Sequence, residues 1–328
     1  MNLKYKYLVV GYPYDYYWYC FHQLNEIENS YYVKSISFSP LINRLYGYDI
    51  TYLNKISITK RLWVRVFLSK LKNIVNTKKW CSQENICFVF LAGGLNLELL
   101  RYGLANEIRK DYPNSKIVFY ISDVSNKTRS YLPSIIENSD LAITFDPGDA
   151  RKYNLLYHPI PYSKIDYKAV PIEYDLSFVG IAKERLDSLL SLCSYLSLKG
   201  VKCKFVIVNV PKSKQIECEG VEYCDWLEYK DNLDILLRSR CVLDFTYNSK
   251  CEGNTLRIGE AVMLDKKLLT NNAYIVNNGI YDSNYMSIFS SNENIDVEFL
   301  KSAVSAEYKI KEKLYPEDLL SLIDLNLK

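Results

Sequence analysis

Short apolar runs recur along the chain, and each is closed by a residue that ends a strand. In the first half they are YLVVGY (7–12), ICFVFLAGG (86–94), KIVFYISD (116–123) and DLAITF (140–145). They are β-branched or aromatic and nearly unbroken by polar positions, which is how strands read when a parallel sheet is covered on both faces. Between two of them, NLELLRYGLANEIRKDYP (96–113) has apolar residues at helical spacing and stops at a proline. A second series starts at YDLSFVG (174–180) and continues through CKFVIVNV (203–210), VEYCDWL (221–227), CVLDFT (241–246) and KKLLTNN (266–272), with helices expected over 184–198, 230–238 and 255–264. Strands alternating with helices of this length predict right-handed crossovers and a parallel sheet in each half.

Between the two series lies HPIPYSKIDYKAVPIEY, which carries Pro159, Pro161 and Pro171 and has no strong period. It reads as a linker. The expected division is a Rossmann-like domain over 1–165, a second over 166–310, and a C-terminal segment, 311–328, whose amphipathic helix packs back on the first domain. Such a pair of domains is expected to set the carboxyl ends of both sheets around one cleft, where loops and helix starts converge on a ligand.

Composition narrows the partners. A length of 328 residues with 48% hydrophobic content is enough for two cores. The net charge of +3, from 41 basic and 38 acidic residues, makes no overall case for nucleic acid. Nine cysteines without a Cys-x-x-Cys spacing, and only His22 and His158 as histidines, give no zinc motif and read as the reduced thiols of a cytosolic protein. The opening apolar run is too short for a secretory signal and no stretch has the length of a membrane span, so the expected location is cytoplasmic.

Two loops of the second half carry usable chemistry. In SFVGIAKERLDSL a strand ends at Gly180, and Lys183 and Arg185 follow at a helix entrance. The glycine allows close approach of the backbone, the helix start offers N–H groups, and the two cations suit a diphosphate. A solvated Lys-Glu-Arg helix start would read the same way. In DFTYNSKCEGNTLRIGEAV (244–262), Gly253, Asn254 and Thr255 open a helix with its first N–H groups unpaired, Glu252 lies before the turn and Glu260 lies inside the helix. A carboxylate only accepts hydrogen bonds, which suits sugar hydroxyls. Glu260 also stands three residues after Arg257, on the same face, where a simple ion pair would serve.

Glu252-x7-Glu260, following a strand and opening a helix in the second of two Rossmann-like domains, resembles the glutamate-pair motif of retaining GT-B glycosyltransferases. FVGIAKER, FDPGDARKYNLLYHP (145–159) and GNTLRIGEAVMLDKKLLTNN resemble segments of bacterial capsule, O-antigen and lipopolysaccharide transferases of that type. The resemblance covers roughly residues 140–275. It implies a GT-B fold and transfer of a sugar from a nucleotide-sugar to a glycan or lipid-linked acceptor in surface polysaccharide synthesis. Lys183 and Arg185, with Gly180 and the backbone of Gly253, Asn254, Thr255 and Leu256, would hold the donor diphosphate. Glu260 would meet the ribose, Glu252 the transferred sugar, and Trp226 with Leu227 the base. Asn254-Thr255 stands where related enzymes often carry an aromatic and a glycine. The resemblance also implies retention of configuration with the leaving diphosphate as proton acceptor. No metal cofactor is expected, in keeping with the lack of any Asp-x-Asp triplet.

The first half is expected to take the acceptor. Gly11 and Tyr12 follow the first strand, and Gly11 would let a ligand near the backbone. Asp123, at the end of VFYISD, is a candidate to orient or deprotonate an acceptor hydroxyl, while Asp149 reads as a helix cap. Residues 60–80 carry seven basic residues and no acid, with Leu62, Val66, Phe67, Leu71, Ile74 and Val75 near one face. That helix suits peripheral contact with an anionic membrane, or equally a domain helix with a solvated basic face. The 30 tyrosines accompany abundant Lys, Asn and Ile, so compositional bias accounts for them and no site is drawn from them. Rival readings are a nucleotide-sugar epimerase on the same plan and a non-catalytic nucleotide- or glycan-binding subunit. A dinucleotide oxidoreductase is disfavoured because no Gly-x-Gly-x-x-Gly follows a strand.

Overall fold

The computed structural model describes residues 3–36, 38–48, 57–123, 125–246 and 252–327. Contacts divide the chain into two units, residues 1–158 with 316–328, and residues 159–315. Each is α/β with a sheet of six parallel strands, the fold class expected from the hydrophobic pattern.

The first sheet holds β1 (Lys6–Val10), β2 (Ser30–Val33), β3 (Ile86–Leu91), β4 (Lys116–Ile121), β5 (Leu141–Thr144) and β6 (Leu156–Tyr157). Their order is β2-β1-β3-β4-β5-β6, with Leu8 level with Phe88 and Val89 level with Val118. Every residue of β3 is buried, as a doubly covered parallel strand requires. The second sheet holds β7 (Tyr174–Ile181), β8 (Cys203–Val208), β9 (Val221–Cys224), β10 (Ser239–Asp244), β11 (Lys267–Thr270) and β12 (Met286–Ile288), in the order β12-β11-β10-β7-β8-β9. In both units the first strand lies inside the sheet and later strands add on both sides of it. The strand order therefore reverses between β1 and β3 and between β7 and β10, and the crevice outside the carboxyl ends at such a reversal is where open α/β sheets take ligands.

Several details differ from the expectations above. The helix expected over 96–113 is two helices, Gly94–Arg101 and Leu104–Asp111, because Gly103 adopts a left-handed φ of 89° between them. β2, β6 and β12 do not stand out in the sequence; β6 and β12 have two and three residues and lie at sheet edges. The segment read as a linker lies in the second unit. There Tyr162 is fully buried, its N–H donates to the Leu314 carbonyl at 2.6 Å, and its ring fills the space a side chain at Gly259 would need, with an ideal Cβ 2.7 Å away. The helix Pro316–Asn326 belongs to the first unit, where the Tyr7 hydroxyl donates to Asp324 at 2.5 Å.

Residues 60–80 contain most of the helix Ser57–Thr77. Its apolar side is turned into the core of the first unit, with Trp63, Val64, Phe67, Leu68, Leu71 and Val75 packed in the same cluster as Leu8, Phe88 and Phe90. The buried stripe is thus set by 63, 67, 71 and 75 together with 64 and 68, and Leu62 is left 52% exposed. This face is occupied and cannot enter a membrane; what faces outward is the basic side. Among the described residues, no helix is long and apolar enough to cross a membrane. The eight described cysteines form no disulfide; Cys251 lies outside the described residues.

Candidate functional site

The second unit brings its chemistry together at the β7/β10 reversal. β7 ends in Gly180 and Ile181, and Gly180 has a φ of 156°, a conformation that side-chain-bearing residues rarely adopt. Lys183 follows, exposed and with a left-handed φ of 51°. Arg185 does not simply point outward. Its guanidinium donates to the carbonyls of Ile181 at 2.7 Å, of Ala182 at 3.2 Å, and of Phe245 just past β10. It ties the two central strand ends together. Burial pushes Arg185 below its ordinary pKa, with Asp244 pulling upward and Arg257 downward.

Arg257 completes the group. It stands in the first turn of the helix Leu256–Met263, capped by the Thr255 hydroxyl, which accepts the Arg257 N–H at 3.2 Å. Its guanidinium lies behind Gly180, 3.4 Å from where a Cβ there would be, and donates to the Val179 carbonyl, to Asn232 at 3.3 Å and to Glu260. Burial presses Arg257 toward the neutral form and the Glu260 carboxylate outweighs it, so Arg257 ends above its ordinary value. Asp244, 2% exposed, fixes the neighbouring loop by accepting from Thr255 at 2.7 Å and Thr270 at 2.6 Å. Burial raises its pKa, and those two hydroxyls oppose the rise.

The paired glutamates sit differently. Glu252 is half-buried, and its carbonyl accepts from Asn278 at 2.8 Å. The same Asn278 amide donates to Asn254 at 2.9 Å, which turns the Asn254 side chain inward, 2% exposed, so a ligand could be held here by the backbone of this turn and not by that amide. Glu260 is fully buried. Oε1 accepts from Tyr229 at 2.6 Å and Asn232 at 3.0 Å, while Oε2 accepts from Arg257. The ion pair that the three-residue spacing allows is therefore formed, and a ribose at Glu260 would compete with Tyr229. Tyr229 starts the helix Tyr229–Leu237, directly after the loop of Trp226, 66% exposed, and the half-buried Leu227.

In the first unit a cavity of about 330 Å³ opens at the carboxyl ends of β1, β3 and β4. Tyr12, Tyr14, Tyr16, Tyr17 and Asp123 line it. Gly11 is not part of it: a Cβ at Gly11 would meet the Tyr32 hydroxyl at 2.4 Å, so this glycine makes room for Tyr32 and leaves no approach for a ligand. Asp123 is exposed and accepts from the Ser125 N–H at 3.1 Å and the Thr128 hydroxyl at 3.2 Å, which makes it a turn-former as well as a cavity carboxylate. The cap assigned to Asp149 belongs to Asp146, whose Oδ1 accepts the Asp149 N–H at 2.8 Å; Asp149 instead takes a two-pronged bond from Arg129 at 2.9 and 3.1 Å.

Sequence reasoning names Arg257 only as a partner for Glu260 and passes over Asp244 and Tyr229. The signal for Arg257 was its place in the first helical turn beside a candidate phosphate loop. Of the cavity tyrosines, sequence reasoning keeps Tyr12 on the acceptor side and draws nothing from Tyr14, Tyr16 and Tyr17, which the entry into the helix Asp15–Phe21 brings to the same cavity. Among the described residues, no three His, Cys, Asp or Glu side chains gather as metal ligands.

No protein-family profile matches the chain, and no curated protein matches it in sequence. In fold it is similar to TarM, at 12% identity over 74% of this chain and 51% of TarM with a TM-score of 0.46, so the chain spans about half of TarM's length. It is similar to the glycosyltransferase SnogD from Streptomyces nogalater, at 10% identity over 99% and 95% of the two chains with a TM-score of 0.44. It is also similar to an alpha-glucosyltransferase solved with UDP and a 13-mer DNA containing a HMU base, at 8% identity over 74% and 71% with a TM-score of 0.42. Likenesses this distant say nothing about chemistry, which has to be read from the residues.

Proposed function

We propose that this chain is a glycosyltransferase of the GT-B type, with a nucleotide-sugar on the second unit and a glycan or lipid-linked acceptor on the first. The observation that carries the reading is the β7/β10 reversal. Two guanidiniums, an exposed lysine, a left-handed glycine and a capped helix start all converge on the place where open parallel sheets take phosphates. Arg185 and Arg257 are held by main-chain carbonyls and a carboxylate, so their charge is in position before a ligand arrives and no reorganisation is needed on binding.

In this reading Lys183 and Arg185 take the diphosphate, with backbone N–H groups from Gly253 to Leu256 and Arg257 behind them. Tyr229 yields Glu260 Oε1 to a ribose hydroxyl, Trp226 and Leu227 flank the base, and Glu252 accepts from the transferred sugar. The cations balance the leaving diphosphate without a metal, and that diphosphate takes the acceptor proton on the retained face. A place in capsule or O-antigen synthesis completes the proposal.

The test is donor hydrolysis without acceptor across a panel of UDP-, GDP-, CMP- and dTDP-sugars, following released nucleotide. Slow release from one donor is expected, about tenfold or more slower in Glu252→Gln, the loss expected for one bond to a charged acceptor. No release from any donor, or conversion of a donor into its epimer without release, contradicts the proposal.

A further inference from the structure

The tyrosine cavity of the first unit is unused by the charged chemistry of the second. Tyr12 and Tyr14 stack with centroids 5.6 Å apart and planes 19° from parallel; Tyr14 and Tyr16 repeat the 5.6 Å spacing at 8°. Tyr16 meets Tyr17 at 4.4 Å, and the Tyr17 hydroxyl is bonded to Ser122 at 2.7 Å, which anchors the base of the stack. The row has a reason to be there. Tyr12 lies across Gly93, where an ideal Cβ would stand 2.1 Å from its ring, so the β3 turn has no side chain at this point and receives the phenol in its place. Tyr14, which stacks with both Tyr12 and Tyr16, is nonetheless 54% exposed. A row of aromatic rings lining a cavity and partly open to solvent is suited to a flat apolar ligand face.

Beside the rings stands Asp123. Its two oxygens each accept one bond from the turn it forms, and a carboxylate has further lone pairs to offer. Burial, together with neighbouring Tyr14 and with Asp123, pushes the Tyr12 phenol up to about 12, so it remains a hydroxyl donor at neutral pH; Tyr16 is likewise pushed up to about 12. The cavity therefore offers flat carbon faces, phenolic donors and a carboxylate acceptor in about 330 Å³, at the low end of small-molecule sites, about 300–1,000 Å³. A sugar ring answers all three: one face of C–H groups for the rings and a rim of hydroxyls for the carboxylate and phenols. An anionic ligand is disfavoured by Asp123, which only Lys127 among the lining residues offsets.

We infer that this cavity binds a neutral sugar ring packed against the tyrosine row at Tyr14 and Tyr12 and hydrogen-bonded to Asp123, the terminal residue of a glycan acceptor. Its role as the acceptor subsite rests on the transferase reading; its capacity to hold a sugar does not.

The experiment is saturation-transfer NMR on the full chain with the methyl glycosides of glucose, galactose, mannose, rhamnose and N-acetylglucosamine, beside uridine and adenosine. Transfer to the ring protons of at least one glycoside is expected. Its affinity should fall about tenfold in Tyr14→Ala and be kept in Tyr14→Phe, which preserves the stacking face. Asp123→Asn should weaken it as well. No transfer from any glycoside, transfer unchanged in Tyr14→Ala, or equal Tyr14-dependent transfer to the nucleosides overturns the inference. Wild-type protein titrated with nucleoside diphosphates separates the two claims. Nucleotide binding without sugar transfer sinks the cavity assignment alone, and Tyr14-dependent sugar binding without nucleotide binding sinks the transferase reading alone.

Discussion

At the second unit's strand reversal two guanidiniums are pinned to main-chain carbonyls and a buried glutamate, whereas at the first unit's reversal four phenols and one exposed carboxylate line an open cavity. The topology is nearly the same; the materials are not. A buried ion network cannot be lost in part, because removing one member strands its partner in low dielectric. An exposed aromatic row has no such coupling, and its outer members can change with little cost to the fold. The first arrangement suits a ligand of fixed charge, and the second suits an uncharged ligand with hydroxyls.

Removing Arg257 should do the greatest damage. Arg257→Ala leaves Glu260 buried without its cation and is expected to cost about 3–5 kcal/mol of stability in a denaturant titration. Pairing it with Glu260→Gln should recover much of the loss. A cost under about 1 kcal/mol would mean that the network is not closed as described. Gly180→Ala comes next: forcing a side chain into φ 156°, with its Cβ 3.4 Å from Arg257, should cost about 1–3 kcal/mol and weaken nucleotide binding at the same time.

A half-buried lysine and the half-buried phenols should respond oppositely to alkali. Lys266 in the second unit donates to the Leu237 carbonyl at 2.5 Å, and burial lowers its pKa to about 8. In the unfolded chain it keeps its proton to about 10.5, so between these values the unfolded state binds more protons and stability rises with pH. The melting temperature should climb through this window, and Lys266→Met should flatten the climb. The cavity phenols act in the opposite sense: Tyr12 and Tyr16 stay protonated in the fold to about 12, against about 10 when unfolded, so their contribution is lost as pH rises from 10 toward 12. The smallest effect belongs to Tyr14→Ala, expected to leave stability within about 0.5 kcal/mol; a larger loss would mean that the row belongs to the core.

The fold was legible in the sequence because parallel strands covered on both faces are written as unbroken apolar runs, as ICFVFL and KIVFYI are. What escaped was short or marginal: β6 has two residues, and a single glycine at 103 is enough to divide a helix whose periodicity runs on either side of it. The candidate loop was legible as Gly180, Lys183 and Arg185 at the end of a strand, since glycine and basic residues carry their chemistry in their type. Their partners were not, because Arg185 is held by Phe245 sixty residues away in the chain and Arg257 by Val179, contacts that only the folded sheet creates. The tyrosines failed for a different reason. Where a residue type is abundant, its presence carries little information, and only geometry distinguishes the four that line the cavity from the others.

The most direct test of the central claim is a thermal-shift titration of the wild-type chain with UDP, GDP, CMP, dTDP and their sugars. One nucleotide series should raise the melting temperature, by about 2.7 kcal/mol of stabilisation at a hundredfold excess over its dissociation constant. Arg185→Ala should reduce that shift. A chain that melts cooperatively and shifts with none of them would contradict the assignment of the β7/β10 reversal as a diphosphate site, and with it the transferase.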